Sequence, residues 1–133
     1  MSTPAPPLSA TVLLVVALGG AIGSVARYGA GVVMAPHTTT FPWATLLVNV
    51  LGAFLIGWFA RLFAAPDADH VMRLALTTGF CGGFTTFSTL SAETVAMVQQ
   101  GKTGRAAAYI ALSLTLGLAA TFAGLAAGSR STT

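Results

Sequence analysis

Residues 79–93 read GFCGGFTTFSTLSAE, and this stretch decides how the rest of the chain is interpreted. It lies in a segment whose composition is that of a membrane span, yet it is rich in glycine and hydroxyl side chains. A bilayer has no water to satisfy such polar groups, so they are costly there. Polar sequence is tolerated at membrane depth where it is buried in protein or lines a solvated path. The stretch therefore predicts the working part of an ion pathway.

The composition of the 133-residue chain excludes an ordinary soluble domain. Hydrophobic residues make up 55% and charged residues only 7%, whereas soluble domains contain about 25% charged residues. Four apolar stretches each reach the roughly 20 residues that a helix needs to cross a hydrocarbon core of about 30 Å. They lie at residues 8–34, 41–63, 71–98 and 105–127. The prediction is one all-α membrane domain over residues 1–133 with four transmembrane helices.

The charged residues, the histidines and the cysteine narrow the possible class of membrane protein further. Residues 1–10 contain no Lys or Arg, so we expect the first apolar stretch to be a retained span and not a cleaved signal peptide. The six cations lie at helix ends, as residues that flank membrane lipid do, so no nucleic-acid partner is predicted. Two loop histidines, one thiol and no paired acids form no catalytic constellation, and we do not expect an enzyme.

The six cations are divided evenly between the two sides of the predicted membrane domain. The two groups are Arg61, Arg73 and Arg130 against Arg27, Lys102 and Arg105. Because orientation follows an excess of Lys and Arg, the balance predicts insertion in both orientations and a dual-topology antiparallel dimer. An orientation fixed by the first helix or by insertion factors is the alternative. Four short helices bury little interior, which also favours a second copy.

The third apolar stretch is too long for one straight span. As a continuous helix, residues 70–99 would extend for about 45 Å, against a hydrocarbon core of about 30 Å. Either strong tilt or an unwound insert absorbs the excess, and the insert would lie at Gly79, Gly82 and Gly83 with Thr85 and Thr86. Broken membrane helices present backbone carbonyls and helix ends to ions. We therefore predict a third helix that is broken mid-membrane.

Polar side chains within the apolar stretches have a structural and a functional interpretation. Asn49 either bonds a neighbouring helix or presents an amide donor to an anion. Arg27 either reaches lipid headgroups or faces a water-filled vestibule. Glu93 is either an interfacial carboxylate or part of the pathway. The hydroxyls of Tyr109 and Ser113 share a helix face, which serves either packing or a wet lining.

Four motifs in this order resemble the Fluc (CrcB-like) family of fluoride channels. They are GGAIGSVARY at residues 19–28, TLLVNVLGAFLIG at residues 45–57, GFCGGFTTFST at residues 79–89, and Tyr109 with Ser113. The third motif is highly specific, and together the four cover all predicted helices. The resemblance implies a fluoride-selective channel that exports toxic cytoplasmic fluoride by passive electrodiffusion across a prokaryotic plasma membrane. It also implies a dual-topology antiparallel homodimer.

The resemblance implies roles for individual residues. A structural sodium ion at the dimer centre would be held by the backbone carbonyls of Gly82 and Thr85. The anion pathway would contain a vestibule arginine, a pore asparagine, a pore phenylalanine and a track of hydroxyl and acidic side chains. These positions are Arg27, Asn49, Phe87, Ser88, Thr89, Ser91, Glu93, Tyr109 and Ser113.

The chain departs from the family pattern at two positions. Leu90 lies where the family typically has a second pore phenylalanine, and Gly117 lies where some relatives have a serine. Leucine removes a ring whose electropositive edge could meet an anion. The implied partner is therefore either an identical chain or a sister chain that supplies the missing ring.

Two other classes of protein compete with the channel. A small multidrug-type proton-coupled exporter has the same size and topology, but it relies on an acid in the first helix, where this chain has Arg27. A non-transporting membrane subunit would use its polar residues for helix contacts alone. Replacement of Asn49 with leucine separates a pore from such a subunit.

Overall fold

The computed structural model describes residues 8–131, and the regular elements in that range are helical. They are α1 (Ala10–Met34), a short 3-10 turn (Ala35–His37), α2 (Trp43–Leu62), α3 (His70–Leu74), a π-helical segment (Ala75–Cys81), α4 (Gly82–Phe84), α5 (Phe87–Gln99) and α6 (Thr103–Ser131). Residues 1–7 and 132–133 lie outside the described residues. They include both ends of the predicted domain and most of the N-terminal segment on which the prediction of a retained first span rests.

Among the described residues, three helical spans are long and apolar enough to cross a membrane. They are Ala10–His37, Trp43–Leu62 and Thr103–Arg130. Large apolar side chains remain exposed on them, including Leu14, Val33 and Phe122. Soluble proteins rarely expose contiguous apolar surface on this scale, so the surface suits contact with lipid or with another protein.

Helix ends follow local sequence signals. Ser9 caps α1, because its hydroxyl accepts a hydrogen bond from the Val12 N–H at 3.1 Å. Asp69 caps α3 by accepting from the Met72 N–H at 3.0 Å. Gly101, with φ of 73°, ends α5 in the left-handed conformation that favours glycine. Ser9 and Asp69 thus mark where α1 and α3 begin, and Gly101 marks where α5 ends.

Glycines set the closest helix contacts. At Gly19 and Gly23 of α1, an added Cβ would overlap the carbonyl oxygens of Ala75 and Phe80. Small residues four apart allow helix backbones to approach closely in lipid, and this face of α1 makes such an approach. The contact holds α1 against the π-helical segment, beside the stretch that decides the fold.

The third apolar stretch is not one continuous helix. The helical backbone ends at Phe84, and Thr85 and Thr86 are extended, with φ/ψ of −88°/161° and −154°/114°. Helix α5 then begins at Phe87 with Thr86 as its N-cap. Ahead of this interruption, residues Ala75–Cys81 form wider π-helical turns, a feature frequent at functional sites. The sequence reasoning did not predict the π-helical turns.

Candidate functional site

Two cavities share Thr86 as a lining residue. The first, here the loop cavity, has a volume of about 470 Å³ and is lined by polar residues of the α1–α2 loop and of α5. Its polar lining includes Arg27, Thr38, Thr39, Thr40, Thr45, Thr86, Thr89, Glu93, Gln100 and Lys102. The second, here the break cavity, has a volume of about 700 Å³. Its lining includes Asn49, Thr77, Thr78, Gly82, Thr85, Thr86, Phe87, Leu90 and Ser113.

Asn49 forms two hydrogen bonds with the backbone of Thr86, at the interruption between α4 and α5. Its Oδ1 accepts a hydrogen bond from the Thr86 N–H at 2.7 Å, and its Nδ2 donates to the Thr86 carbonyl at 3.1 Å. The Asn49 side chain therefore satisfies both the N–H and the carbonyl of Thr86. Thr86 is extended, so these groups have no partners within a helix. A primary amide has two N–H donors, so one N–H lies outside this pair in a residue that lines the break cavity.

The interruption deprives two backbone carbonyls of their helical donors. In a continuous helix, the Gly82 carbonyl would accept from the Thr86 N–H, and the Thr85 carbonyl from the Thr89 N–H. The Thr86 N–H instead bonds Asn49, and the Thr89 N–H bonds Thr86 Oγ1 at 3.1 Å. Gly82 and Thr85 both line the break cavity. These carbonyls are of the kind that unwound membrane helices offer to cations.

Arg27 reaches the same interruption from α1. Its Nε donates to the Gly83 carbonyl at 3.0 Å, at the C-terminal end of α4, where a positive charge is favourable. The residue is half-buried and lines the loop cavity. The guanidinium therefore supplies both a hydrogen bond to the interrupted backbone and a positive charge to the cavity.

Glu93 is fixed by two hydroxyl donors. Thr45 donates to Oε1 at 2.9 Å and Tyr109 donates to Oε2 at 2.6 Å. Such hydrogen bonds to a carboxylate are stronger than neutral ones, and they tie α5 to α2 and α6. Tyr109 is fully buried and is absent from both cavity linings. Tyr109 therefore holds the Glu93 carboxylate from behind the cavity lining. The resemblance had implied that Tyr109 lies at the start of the hydroxyl track.

The hydroxyl side chains expected to form one track are divided among several environments. Thr86 Oγ1 lies 3.0 Å from both Ser88 Oγ and Thr89 Oγ1. Ser91 donates to the Phe87 carbonyl at 2.9 Å. Thr89 lines the loop cavity, whereas Ser88 and Ser91 belong to neither cavity lining. Only Ser88 and Thr89 thus form a local hydroxyl cluster with Thr86 at the start of α5.

The lining of the break cavity includes an exposed aromatic ring and a buried hydroxyl. Phe87 lines it and is 80% exposed. The Ser113 hydroxyl is buried and has no hydrogen-bond partner among the described residues. Buried polar groups are rarely left without a partner, so this hydroxyl is available to a group that enters the cavity. Leu90 lies on the same wall.

The sequence reasoning missed Thr45 and Thr86 as site residues. Thr86 was expected only as part of the unwound insert, and only the structure shows that it lines both cavities. Thr45 precedes Asn49 by four residues, a spacing that puts two helical side chains on one face. That spacing was the available signal for Thr45.

Apolar spanning helices, an interrupted helix and two cavities with polar groups in their linings define a multi-pass membrane protein with a candidate ion pathway. The sequence model of the family described as "CrcB-like protein, Camphor Resistance (CrcB)" matches residues 14–125. The chain belongs to this family. The resemblance drawn from the four motifs is therefore confirmed.

Curated relatives match the chain over most of its length. "Fluoride-specific ion channel FluC" of Agrobacterium fabrum is 50% identical over 118 residues, which cover 87% of this chain and 94% of that protein. The protein of the same name from Thermus thermophilus is 50% identical over 116 residues, covering 86% and 93%. "Fluoride-specific ion channel FluC 1" of Mycobacterium bovis is 46% identical over 109 residues, covering 81% and 83%.

Proposed function

We propose that this chain forms a fluoride-selective channel that exports cytoplasmic fluoride by passive electrodiffusion across the plasma membrane. The observation that carries the proposal is 50% identity, over 87% of the chain, to a protein named as a fluoride-specific ion channel. Membership of this family favours a channel over an enzyme. It gives no support to a multidrug-type exporter or to a non-transporting subunit.

The chemistry of the cavities supports fluoride as the permeant ion. Fluoride is small and strongly hydrated, so it sheds water only where hydrogen-bond donors are dense, and lining donors are a recognised basis of pore selectivity. The break cavity offers the second Asn49 N–H and the unpaired Ser113 hydroxyl. The edge of the Phe87 ring adds weak positive potential. None of these groups carries a full charge that would trap the ion.

The proposed path enters through the loop cavity and continues past Thr86 to the break cavity. Arg27 supplies positive charge at the entrance, while the Glu93 oxygens are occupied by hydroxyl donors from Thr45 and Tyr109. Thr86 belongs to both linings, and its backbone is held by Asn49. The Asn49–Thr86 pair thus lies where the two cavities meet along the proposed route.

The architecture that we propose is one domain over residues 1–133 with four transmembrane helices, the third of them broken mid-membrane. Two such chains would associate as a dual-topology antiparallel homodimer in lipid. The balanced cations support dual topology, and the exposed Phe87 and unpaired Ser113 support completion of the break cavity by a second copy. A sister chain that supplies a ring opposite Leu90 is the alternative partner.

A structural sodium ion at the dimer centre is part of the proposal. Its ligands would be the carbonyls of Gly82 and Thr85, and the support is that both have lost the helical donors that would otherwise occupy them. The described residues contain no cluster of three His, Cys, Asp or Glu side chains, so a metal would depend on other oxygens. When bound, the ion would favour an anion nearby through its positive charge.

Fluoride efflux from liposomes that contain this chain alone tests the proposed function. We expect rapid efflux of fluoride and little efflux of chloride, measured with ion-selective electrodes after dissipation of the membrane potential. Empty liposomes provide the background rate. A well-folded dimer that passes neither ion, alone or with a sister chain, would contradict the channel. Activity that appears only with the sister chain would establish a heterodimer.

Removal of sodium tests the metal site separately. We expect protein purified and reconstituted in N-methyl-D-glucamine salts to lose most fluoride efflux, and returning sodium to restore it. The same samples should unfold at a lower temperature without sodium, because a ligand that binds only the folded state stabilises it. Residual sodium is measured by atomic emission. Full efflux and an unchanged unfolding temperature in sodium-free samples would contradict the site and leave the channel intact.

A further inference from the structure

The loop cavity contains two cationic side chains and one carboxylate. Arg27 and Lys102 carry the positive charges and Glu93 carries the negative charge. The donors to Glu93 are neutral hydroxyls, so they do not cancel its charge. If Lys102 were removed, one cation and one anion would remain. Lys102 therefore decides whether the lining of this cavity has a net positive charge.

The backbone fixes Lys102 at the edge of the cavity. At the end of α5, the Lys102 N–H bonds the Met97 carbonyl at 2.8 Å and the Gly101 N–H bonds the Val98 carbonyl at 3.0 Å. Together with the positive φ of Gly101, this is the glycine-terminated turn that commonly ends helices. The residue that follows such a glycine has a defined position, although its side chain is exposed.

Among the described residues, the Lys102 amino group forms no ion pair. Its amino group donates to Gln100 Oε1 at 2.9 Å, which is a neutral acceptor. Arg27, in contrast, is half-buried and uses its Nε to bond the Gly83 carbonyl. Of the two cations, Lys102 is thus the one whose field extends into the solution from which an ion arrives.

We propose that Lys102 is an electrostatic steering residue that raises the concentration of fluoride at the mouth of the loop cavity. This inference rests on the proposed function, because it concerns the entry of the same ion into the same route. Charged clefts concentrate counter-ions and increase association rates. Lys102 acts on the rate of entry, whereas the donors of the break cavity act on the choice of ion.

The expected effect is modest and depends on salt. One unit charge acting over about 10 Å in water changes an ion's local concentration about two-fold, so reversal of the charge gives about four-fold. The Debye length is about 30 Å at 0.01 M and about 3 Å at 1 M ionic strength. The effect should therefore be present in dilute solution and absent in concentrated salt.

The test compares the variants Lys102→Gln, Lys102→Glu and Lys102→Arg with the parent chain in liposomes of zwitterionic lipid. Fluoride flux is measured below saturation at about 10 mM and about 1 M ionic strength, set with an impermeant salt at constant sodium. At low ionic strength we expect about two-fold lower flux for Lys102→Gln, about four-fold lower for Lys102→Glu, and unchanged flux for Lys102→Arg. At high ionic strength all variants should match the parent.

A charge-matched control removes a cation from outside the cavity. Arg61 lies in the last turn of α2 and is not part of the loop cavity lining, so Arg61→Gln should leave the flux unchanged. Equal flux for Lys102→Gln and the parent at low ionic strength would overturn the steering role. So would a loss of the same size at both ionic strengths, which would indicate altered structure. Absence of fluoride efflux from the parent would contradict the proposed function instead.

Discussion

Replacement of Asn49 with leucine is expected to abolish fluoride flux while the dimer survives. The side chain makes two hydrogen bonds to Thr86, at 2.7 and 3.1 Å, and Thr86 is itself buried. Leucine would leave an N–H and a carbonyl unpaired at the interruption, and each such buried group costs about 1–3 kcal/mol. The variant also loses the amide donor in the break cavity. Both effects act on the route that we propose for the ion.

Liposome efflux and size-exclusion chromatography together measure the outcome for Asn49→Leu. We expect flux to fall to the level of empty liposomes and the elution volume of the dimer to be unchanged. Leu51→Ala provides a control on the same helix, because Leu51 is exposed and lines neither cavity. Near-parental fluoride flux in Asn49→Leu would show that Asn49 is not part of the ion pathway. Loss of the dimer together with flux would favour the non-transporting interpretation.

Replacement of Gly124 with leucine is expected to prevent folding. Gly124 of α6 faces α2, and an added Cβ would overlap the carbonyl oxygen of Phe54 and approach the Trp58 nitrogen at 2.8 Å. Gly57 of α2 meets the carbonyl of Thr121 in the same way. These neighbours are backbone atoms, which cannot change rotamer, so the helices must separate. The cost exceeds the about 1–3 kcal/mol typical of overpacking, because this is the most extensive helix pairing in the fold.

Gly104→Leu is the matched control for Gly124→Leu. Both glycines belong to α6, but an added Cβ at Gly104 meets no atom within 4 Å. We expect Gly104→Leu to give folded dimer in detergent with an unfolding temperature near that of the parent, and Gly124→Leu to give aggregate. A monodisperse Gly124→Leu dimer with normal thermal stability would show that α2 and α6 do not pack as described.

The sequence signal for the helices is local. Runs of apolar residues gave spans at 8–34, 41–63 and 105–127, and the structure has helices at Ala10–Met34, Trp43–Leu62 and Thr103–Ser131. The third stretch, predicted at 71–98 with a possible insert within residues 79–86, is helical on both sides of Thr85 and Thr86. Glycine and threonine in an apolar run are visible in the sequence alone.

The site was predicted only in part, because contacts between helices are not local. The sequence left two interpretations of Asn49 open, and it did not show that the partner of this side chain is the Thr86 backbone, 37 residues away. Tyr109 was expected in the lining, and its position beneath Glu93 depends on how α5 and α6 pack. The role of Thr45 as the second donor to Glu93 depends on packing across 48 residues of sequence.

By itself, the sequence determined that the chain is an all-helical membrane protein, that it belongs to the CrcB-like family, and where glycine and threonine collect in its third apolar stretch. Hydrophobicity and residue size act within a few turns of one helix, so they can be read along the chain. The tertiary structure decided which polar groups pair, which carbonyls lose their donors and which side chains face a cavity. Those outcomes depend on hydrogen bonds between separate helices, whose geometry exists only once the glycine faces of α1, α2 and α6 have packed.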